Sequence, residues 1–407
     1  MRNKLGPGTT LSYCTNVHPT VDLHSLVDQL QKHATEVKDL ASPDEPLGVG
    51  VWMPGEPNND RQMFRQWVAE GVDFLLDRPH RPVRELGEWM RSAGIEAVTA
   101  NAFPYRIFHG EVVKHRVYEP DWSSKHRVAY SVGIAELLAC ITPMQESRSV
   151  STLPLGWSRG VGRDEAITRE AAERLRDAAV ELSDLGLWRR APFTLDLEPE
   201  PGCILDTASD VIAFFDKHLP DEIHRKHIGI CHDVCHAAVM FEDQREVIRR
   251  YAEAGIRVNK VQISSALDVD VRTIGVDAAI EHLTQFAEPR YLHQTGFMTD
   301  GQFELIEDLP EAIERLEAGP SAGPIPDRLR VHFHVPVYLD HIGPLGTTND
   351  QIAEAVAAAR EYHDTKHFEV ETYAWGVLPE ELKRDTLAEG IADELKWVLK
   401  TCGQSDS

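Results

Sequence analysis

The stretch Phe193-Thr-Leu-Asp-Leu-Glu-Pro-Glu-Pro-Gly202 is an apolar run that delivers a carboxylate and then stops. Alternate residues of a strand share a face, so Asp196, Glu198 and Glu200 point one way while Leu195 and Leu197 point the other. Pro199, Pro201 and Gly202 end the strand and hold Glu198 at its rim, where it is a candidate metal ligand and proton-transfer group. The plainer alternative is a solvated carboxylate beside a turn, the ordinary fate of Glu. Asp233 and His236 lie three apart at a strand-to-helix junction, near enough in a first helical turn to face one centre. Asp233 serves equally as a helix cap, and His236 as a group that hydrogen-bonds substrate.

His332 and His334, two apart in the apolar segment Val331-His-Phe-His-Val-Pro336, are expected in a strand and on one face. His334, nearer the Pro336 stop, is the better ligand, with His332 a substrate contact. Glu369 and Glu371 share a face in Phe368-Glu-Val-Glu-Thr-Tyr-Ala-Trp375, and Glu371 lies closer to the expected mouth. Glu198, Asp233, His334 and Glu371 form a mixed oxygen and nitrogen set suited to a divalent cation such as Mn²⁺, Zn²⁺, Co²⁺ or Mg²⁺. Gln262 offers a neutral oxygen, as a distant ligand or a substrate hydrogen-bonder. His18, His109 and His293 are further substrate-binding candidates of the same ambiguity.

Positioning these groups takes a parallel sheet. From Leu11 onward, strand-like runs alternate with amphipathic ones, the βαβα pattern of a sheet flanked by helices. Expected strands begin near Leu11, Leu47, Ile95, Val150, Phe193, Ile228, Val258 and Phe368. Helices are expected over Asp22 to Leu40, Asp60 to Glu70, Val83 to Ala93, Ser124 to Cys140, Asp164 to Leu187, Asp277 to Phe286, Asn349 to Tyr362 and Glu380 to Lys400. Polar groups gathered at the C-terminal ends of successive parallel strands build the active site of a (β/α)8 TIM barrel, and that is the fold expected. Phe103 to Trp122 reads as a long loop on the catalytic face. Residues 266–330 break the alternation as an insertion between the seventh and last strands, with a Gly- and Pro-rich linker over 318–326. One elaborated domain over 1–407 is expected, with a frayed tail from Thr401 to Ser407.

Composition bounds the partners. Lys and Arg number 42 against 66 Asp and Glu, and the net charge of −24 repels a phosphate backbone, which argues against nucleic acid. No run approaches the roughly 20 apolar residues of a membrane span. The first ten residues lack the apolar stretch of a signal peptide, which points to a cytoplasmic protein. Cys14, Cys140, Cys203, Cys231, Cys235 and Cys402 include no C-x-x-C pair, so reduced thiols are expected. A small-molecule metabolite is the expected partner, with a homo-oligomer open.

The strand-end pattern resembles the xylose isomerase-like TIM barrel superfamily of sugar isomerases, ketose 3-epimerases and endonuclease-four type repair enzymes. More narrowly, Tyr13-Cys-Thr-Asn-Val-His-Pro19, Phe108-His-Gly110, Leu197-Glu-Pro-Glu-Pro201, Lys260-Val-Gln-Ile-Ser-Ser-Ala-Leu267, His332-Phe-His-Val-Pro336 and Val370-Glu-Thr-Tyr373 are similar to the EboE family of metabolite traffic proteins. The superfamily's fifth-strand Glu falls on Glu198, its D-x-x-H on Asp233 and His236, and its last-strand Glu on Glu371. Where epimerases have a seventh-strand His, this chain has Gln262, with His334 arriving after the insertion. The resemblance implies a metal-dependent isomerase or epimerase acting on a sugar or small polyhydroxylated metabolite, with Glu198 and Glu371 as acid and base. It leaves open a non-catalytic metabolite-binding or traffic protein, or a metal-dependent hydrolase or lyase.

Overall fold

The protein is described by a computed structural model covering residues 1–55, 81–106, 108–142 and 146–403. Eight parallel strands close into a barrel: β1 (Thr10–Cys14), β2 (Leu47–Trp52), β3 (Ile95–Asn101), β4 (Arg148–Thr152), β5 (Phe193–Leu197), β6 (Ile228–Asp233), β7 (Val258–Ile263) and a last strand, His367–Val370. Each strand pairs in parallel with its chain neighbours, except that the last returns between β7 and β1. Both faces of these strands are covered, one by helices and one by the barrel's own interior, so they read as nearly unbroken apolar runs. The expected helix at Asp60 to Glu70 lies outside the described residues.

The helices form because their apolar stripes match that outer surface. In Val161–Arg189, Ala171, Leu175, Ala178 and Leu182 recur at helical spacing and are buried, while Leu187 is exposed. Burying each such Leu contributes about 1.5–3 kcal/mol. The helix expected from Glu380 begins instead at Leu387, because Thr386 caps it in a reciprocal pair with Glu389. It continues through Cys402, so Thr401 and Cys402 belong to the helix and not to a tail.

Between β7 and the last barrel strand the chain builds a second sheet, antiparallel throughout. Its strands are β8 (Leu267–Asp270), β9 (Thr295–Thr299), β10 (Gln302–Ile306), β11 (Arg328–Val331), β12 (His341–Ile342) and β13 (Leu345–Thr347), in the order β10-β9-β11-β8-β13-β12. We number the last barrel strand β14 accordingly. This sheet runs past residue 330, where the sequence suggested the insertion ends. The Gly- and Pro-rich stretch is no linker: it turns the helix Leu309–Ala318 back into β11, whose Arg328 pairs with both Asp270 and Met298. His332 and His334 also differ from expectation, since the strand ends at Val331 and they lie just beyond it.

One charged pair spans the barrel interior. Lys260 Nζ lies 2.8 Å from Glu369 Oε1, both side chains fully buried, and Ser12 and Thr99 donate to Glu369 Oε2. Gly50 is required here, because a Cβ would collide with the Glu369 carboxylate. Removing one partner of a buried ion pair strands the other's charge and costs about 3–5 kcal/mol, whereas replacing both with apolar groups is often near neutral. Lys260→Met is therefore expected to lower the urea midpoint sharply, and Lys260→Met with Glu369→Leu to recover most of the loss. Equal midpoints for the single and double variants would show that the pair carries no such charge constraint.

Candidate metal centre

Three carboxylates meet at the C-terminal end of the barrel. Glu198 follows β5 directly, its backbone N–H bonded to Thr152 O at 2.9 Å; the side chain is buried and its Oε2 has no hydrogen-bond partner. Asp233 ends β6 and caps the helix Val234–Val239 through Oδ1, which accepts from His236 N at 2.9 Å and Ser264 Oγ at 2.7 Å. Its Oδ2 has no hydrogen-bond partner. Capping and ligation thus divide between its two oxygens. Glu371, one residue past β14, accepts at Oε1 from Asn16 Nδ2 (2.7 Å) and Asn101 Nδ2 (2.9 Å). Ligand atoms of Glu198, Asp233 and Glu371 lie within 4.8 Å of one another.

Burying like charges together moves their protonation. Burial, then Glu371 and Asp233, push the Glu198 carboxyl well above its ordinary range. Burial and then Asp233 push Glu371 up to about 8, against the pull of Lys260. Burial acts on Asp233 in the same direction, but His236, His334 and its hydrogen bonds outweigh it, and Asp233 titrates below its usual value. Buried acceptor oxygens without donors, in an acidic cluster, fit a divalent cation, which satisfies the oxygens and offsets the repulsion.

Three imidazoles border the carboxylates. His236 Nδ1 donates to Pro199 O at 2.8 Å and His334 Nδ1 to Glu371 O at 2.5 Å; His332 Nδ1 lies 2.7 Å from Gln294 Oε1. Their Nε2 atoms face inward, 3.2 Å apart for His236 and His332 and 3.3 Å for His332 and His334. His334 Nε2 is 4.0 Å from Asp233 Oδ2. Burial pulls His332 well below its ordinary pKa and takes His334 down to about 4.

Gln262 lies in β7 in register with both Asp233 and Glu369, and neither its amide oxygen nor its nitrogen has a hydrogen-bond partner. The structure does not bring His18, His109 or His293 to the cavity wall. His18 bonds Tyr13 Oη at 3.1 Å and stacks on His33, His109 bonds Asn16 O at 2.6 Å, and His293 bonds Glu288 and stacks on Phe333. His109 and His293, which also bonds His332 O at 2.9 Å, thus contact the backbone of residues that do line the cavity. Glu200, Asn16 and Asn101 do line the site, and sequence reasoning did not single them out as site residues. The strand-end rule points to all three, since Asn101 ends β3, Asn16 follows β1 and Glu200 shares a face with Glu198. Gln294 and Tyr118, which bond Glu200 at 3.0 and 2.7 Å, carry no such signal.

A cavity of about 60 Å³ covers the centre, polar on the barrel side and roofed by Phe103, Phe108, Tyr118, Tyr291 and Tyr373. A larger cleft of about 910 Å³ runs past Trp157, Asp164 and Asp206, but among the described residues none of the groups of potential metal ligands lies along it. The small cavity is therefore the candidate site. Among the described residues no helix is long and apolar enough to cross a membrane, and the six cysteines are free.

Comparison with solved structures places the chain beside a xylose isomerase-like TIM barrel protein from Mycobacterium smegmatis in complex with magnesium, with a TM-score of 0.50, 11% identity and coverage of 97% of this chain and 96% of that one. A D-tagatose 3-epimerase-like protein has a TM-score of 0.48 at 11% identity, covering 96% of both chains. A sugar phosphate isomerase/epimerase from Parabacteroides distasonis has 0.45 at 10% identity, covering 96% of this chain and 94% of that one. At such identities the likeness is one of fold alone, a (β/α)8 TIM barrel. No protein-family model matches the sequence, and neither does any curated protein sequence.

A proton on a raised carboxyl competes with a cation for the same oxygen. Metal binding should therefore release protons below about pH 8, where Glu371 is still protonated, and should tighten as pH rises to that point. Calorimetric titration with Mn²⁺ in buffers of different ionisation enthalpy measures the release, and Glu371→Gln should diminish it. A pH-independent affinity below that point would count against the assigned carboxylates.

Proposed function

We propose that this protein is a metal-dependent isomerase or epimerase acting on a sugar or small polyhydroxylated metabolite. The observation that carries the reading is the convergence of Glu198, Asp233 and Glu371 at the barrel mouth, with Glu198 Oε2 and Asp233 Oδ2 lacking hydrogen-bond partners. These three residues would hold the divalent cation, while His334, the nitrogen the sequence suggested, groups with Asp233 and His236. A cation bound there would polarise a substrate carbonyl and its neighbouring hydroxyl, acidifying the adjacent C–H.

The chain's own groups supply the proton transfers. Glu198 and Glu371, two of the carboxylates at the cation position, are the acid and base. Asn16 and Asn101 fix Glu371 through Oε1, which leaves Oε2 for the proton. His236 and His332 lie on the cavity wall as partners for substrate oxygens, while the aromatic roof excludes water and offers flat surfaces to the C–H face of a ring. Gln262, behind the carboxylates, is a further polar group for substrate or cation. The similarity of the chain's motif segments to EboE supports a setting in metabolite biosynthesis or traffic.

The reaction leaves an isotopic mark. With Mn²⁺ and a panel of ketoses and cyclic polyhydroxyketones in deuterated water, wild-type protein should place deuterium on the carbon beside the carbonyl. Glu198→Gln and Glu371→Gln should each reduce the exchange at least ~100-fold, the usual scale of a lost acid or base. Tight metal and ligand binding with no exchange would replace the enzyme with a metabolite-binding protein on the same scaffold.

A further inference from the structure

We propose that Glu394 is a positioning residue for the barrel mouth: from the helix Leu387–Cys402, outside the barrel, its carboxylate clasps the segment that carries Glu371 to the segment that carries His334. The Glu394 side chain is buried, and its Oε1 accepts from Thr372 Oγ1 at 2.5 Å and from Val337 N at 3.2 Å, while Oε2 accepts from Trp375 Nε1 at 3.3 Å. Thr372 and Trp375 follow Glu371, and Val337 follows His334. One oxygen thus bridges two stretches that are distant in sequence.

The chemistry of this group is not that of packing. Its three donors are neutral, and burying a carboxyl against neutral donors is costly on a helix face otherwise built from Ala388, Ile391, Leu395 and Val398, where an apolar side chain would pack without that penalty. The helix is also shaped for the contact one turn earlier. Gly390 lies four residues before Glu394 and therefore on the same face, and a Cβ there would collide with the Trp375 ring. Gly390 makes room for the indole, and Glu394 accepts its N–H.

Alternation along the chain turns Glu371 into the mouth and Thr372 out toward the helix. On the mouth side, His334 Nδ1 donates to Glu371 O at 2.5 Å, a bond whose direction is fixed because a carbonyl only accepts. A single hydrogen bond lets two segments pivot about it. The second tie, on the helix side, fixes their orientation as well as their separation, and Val337 is anchored further by Asn349 Nδ2, which donates to its carbonyl at 3.2 Å. Acting through Thr372 and Val337, Glu394 keeps the Glu371 carboxylate facing Glu198 and Asp233 and keeps His334 beside Asp233. The effect on metal rests on the cation position of the function proposed above, whereas the clasp itself rests on the hydrogen bonds alone.

The test uses full-length protein with isotopically labelled histidine and two readings: the exchange-protected Nδ1–H resonance of His334, recorded without metal and identified by its loss in His334→Asn, and the affinity for Mn²⁺ by calorimetric titration. Glu394→Ala should abolish that protection and weaken Mn²⁺ binding roughly 10–100-fold, the usual effect of removing a group that orients a metal ligand. Glu394→Gln retains an acceptor oxygen for Thr372 and Val337 and should recover most of both. Val398→Ala, on the same buried helix face one turn further on, should lower the urea midpoint and leave both readings unchanged. Thr372→Val removes one donor and leaves the carboxyl in place; it should move both readings in the direction of Glu394→Ala, and it decides the matter should Glu394→Ala fail to fold. Wild-type resonance and affinity in folded Glu394→Ala or, failing that, in Thr372→Val would overturn the proposal, as would an equal loss in Val398→Ala. Wild-type protein that binds no Mn²⁺ would refute the cation position, and the His334 resonance would then decide the clasp by itself.

Discussion

Three carboxylates share a space at the barrel mouth from which water is largely excluded, and each makes the others' charge harder to sustain. Two like charges about 4 Å apart repel by about 4 kcal/mol at an effective dielectric near 20. The protein tolerates this because other features dispose of the charge. Burial and their neighbours raise the Glu198 and Glu371 carboxyls, Asn16 and Asn101 satisfy one oxygen of Glu371, and His236, His334 and its hydrogen bonds lower Asp233. A divalent cation would complete the same compensation.

Beneath the centre the same strands carry the opposing charge. Glu369 lies two residues before Glu371, and the strand's alternation turns both inward at different depths. The deeper carboxylate is neutralised by Lys260, so a single negative layer reaches the mouth instead of two. Lys260 also opposes the rise in both Glu198 and Glu371, which couples the interior pair to the carboxylates above it. The glycine at position 50 belongs to this arrangement, since it clears the space that the Glu369 carboxylate occupies.

Much of the barrel was legible because its strands obey simple periodic rules. Glu198, Asp233 and Glu371 each stand where an apolar run stops, and the proline, helix start or turn that follows is written next to them. Asn16 and Asn101 obey the same rule but carry no charge to attract notice. Solitary histidines have no period at all, which is why His18, His109 and His293 could not be separated from site residues until their partners were known. The second sheet was illegible for another reason. Its strands are short, and the pairings of β11 with β8 and β9 and of β13 with β8 join segments far apart in sequence, so the Gly- and Pro-rich turn before β11 resembled a linker.

His332 and His334 reach the barrel mouth by an unexpected route. β7, where the resemblance pointed to an imidazole, carries Gln262, and the imidazoles beside Asp233 come instead from a segment that has just left the antiparallel sheet and from the helix after β6. Alternation still places both rings on one side, because the backbone beyond Val331 remains extended enough for His332 to bond Gln294 and for His334 to reach the Glu371 carbonyl. That last hydrogen bond ties the inserted sheet to the strand bearing a centre carboxylate, while Val335 N to Ser265 O and Thr348 N to Ala266 O anchor the inserted segment next to the end of β7. The insertion therefore acts as part of the site's frame: a shift of the second sheet relative to β14 would move the imidazoles and carboxylates apart together.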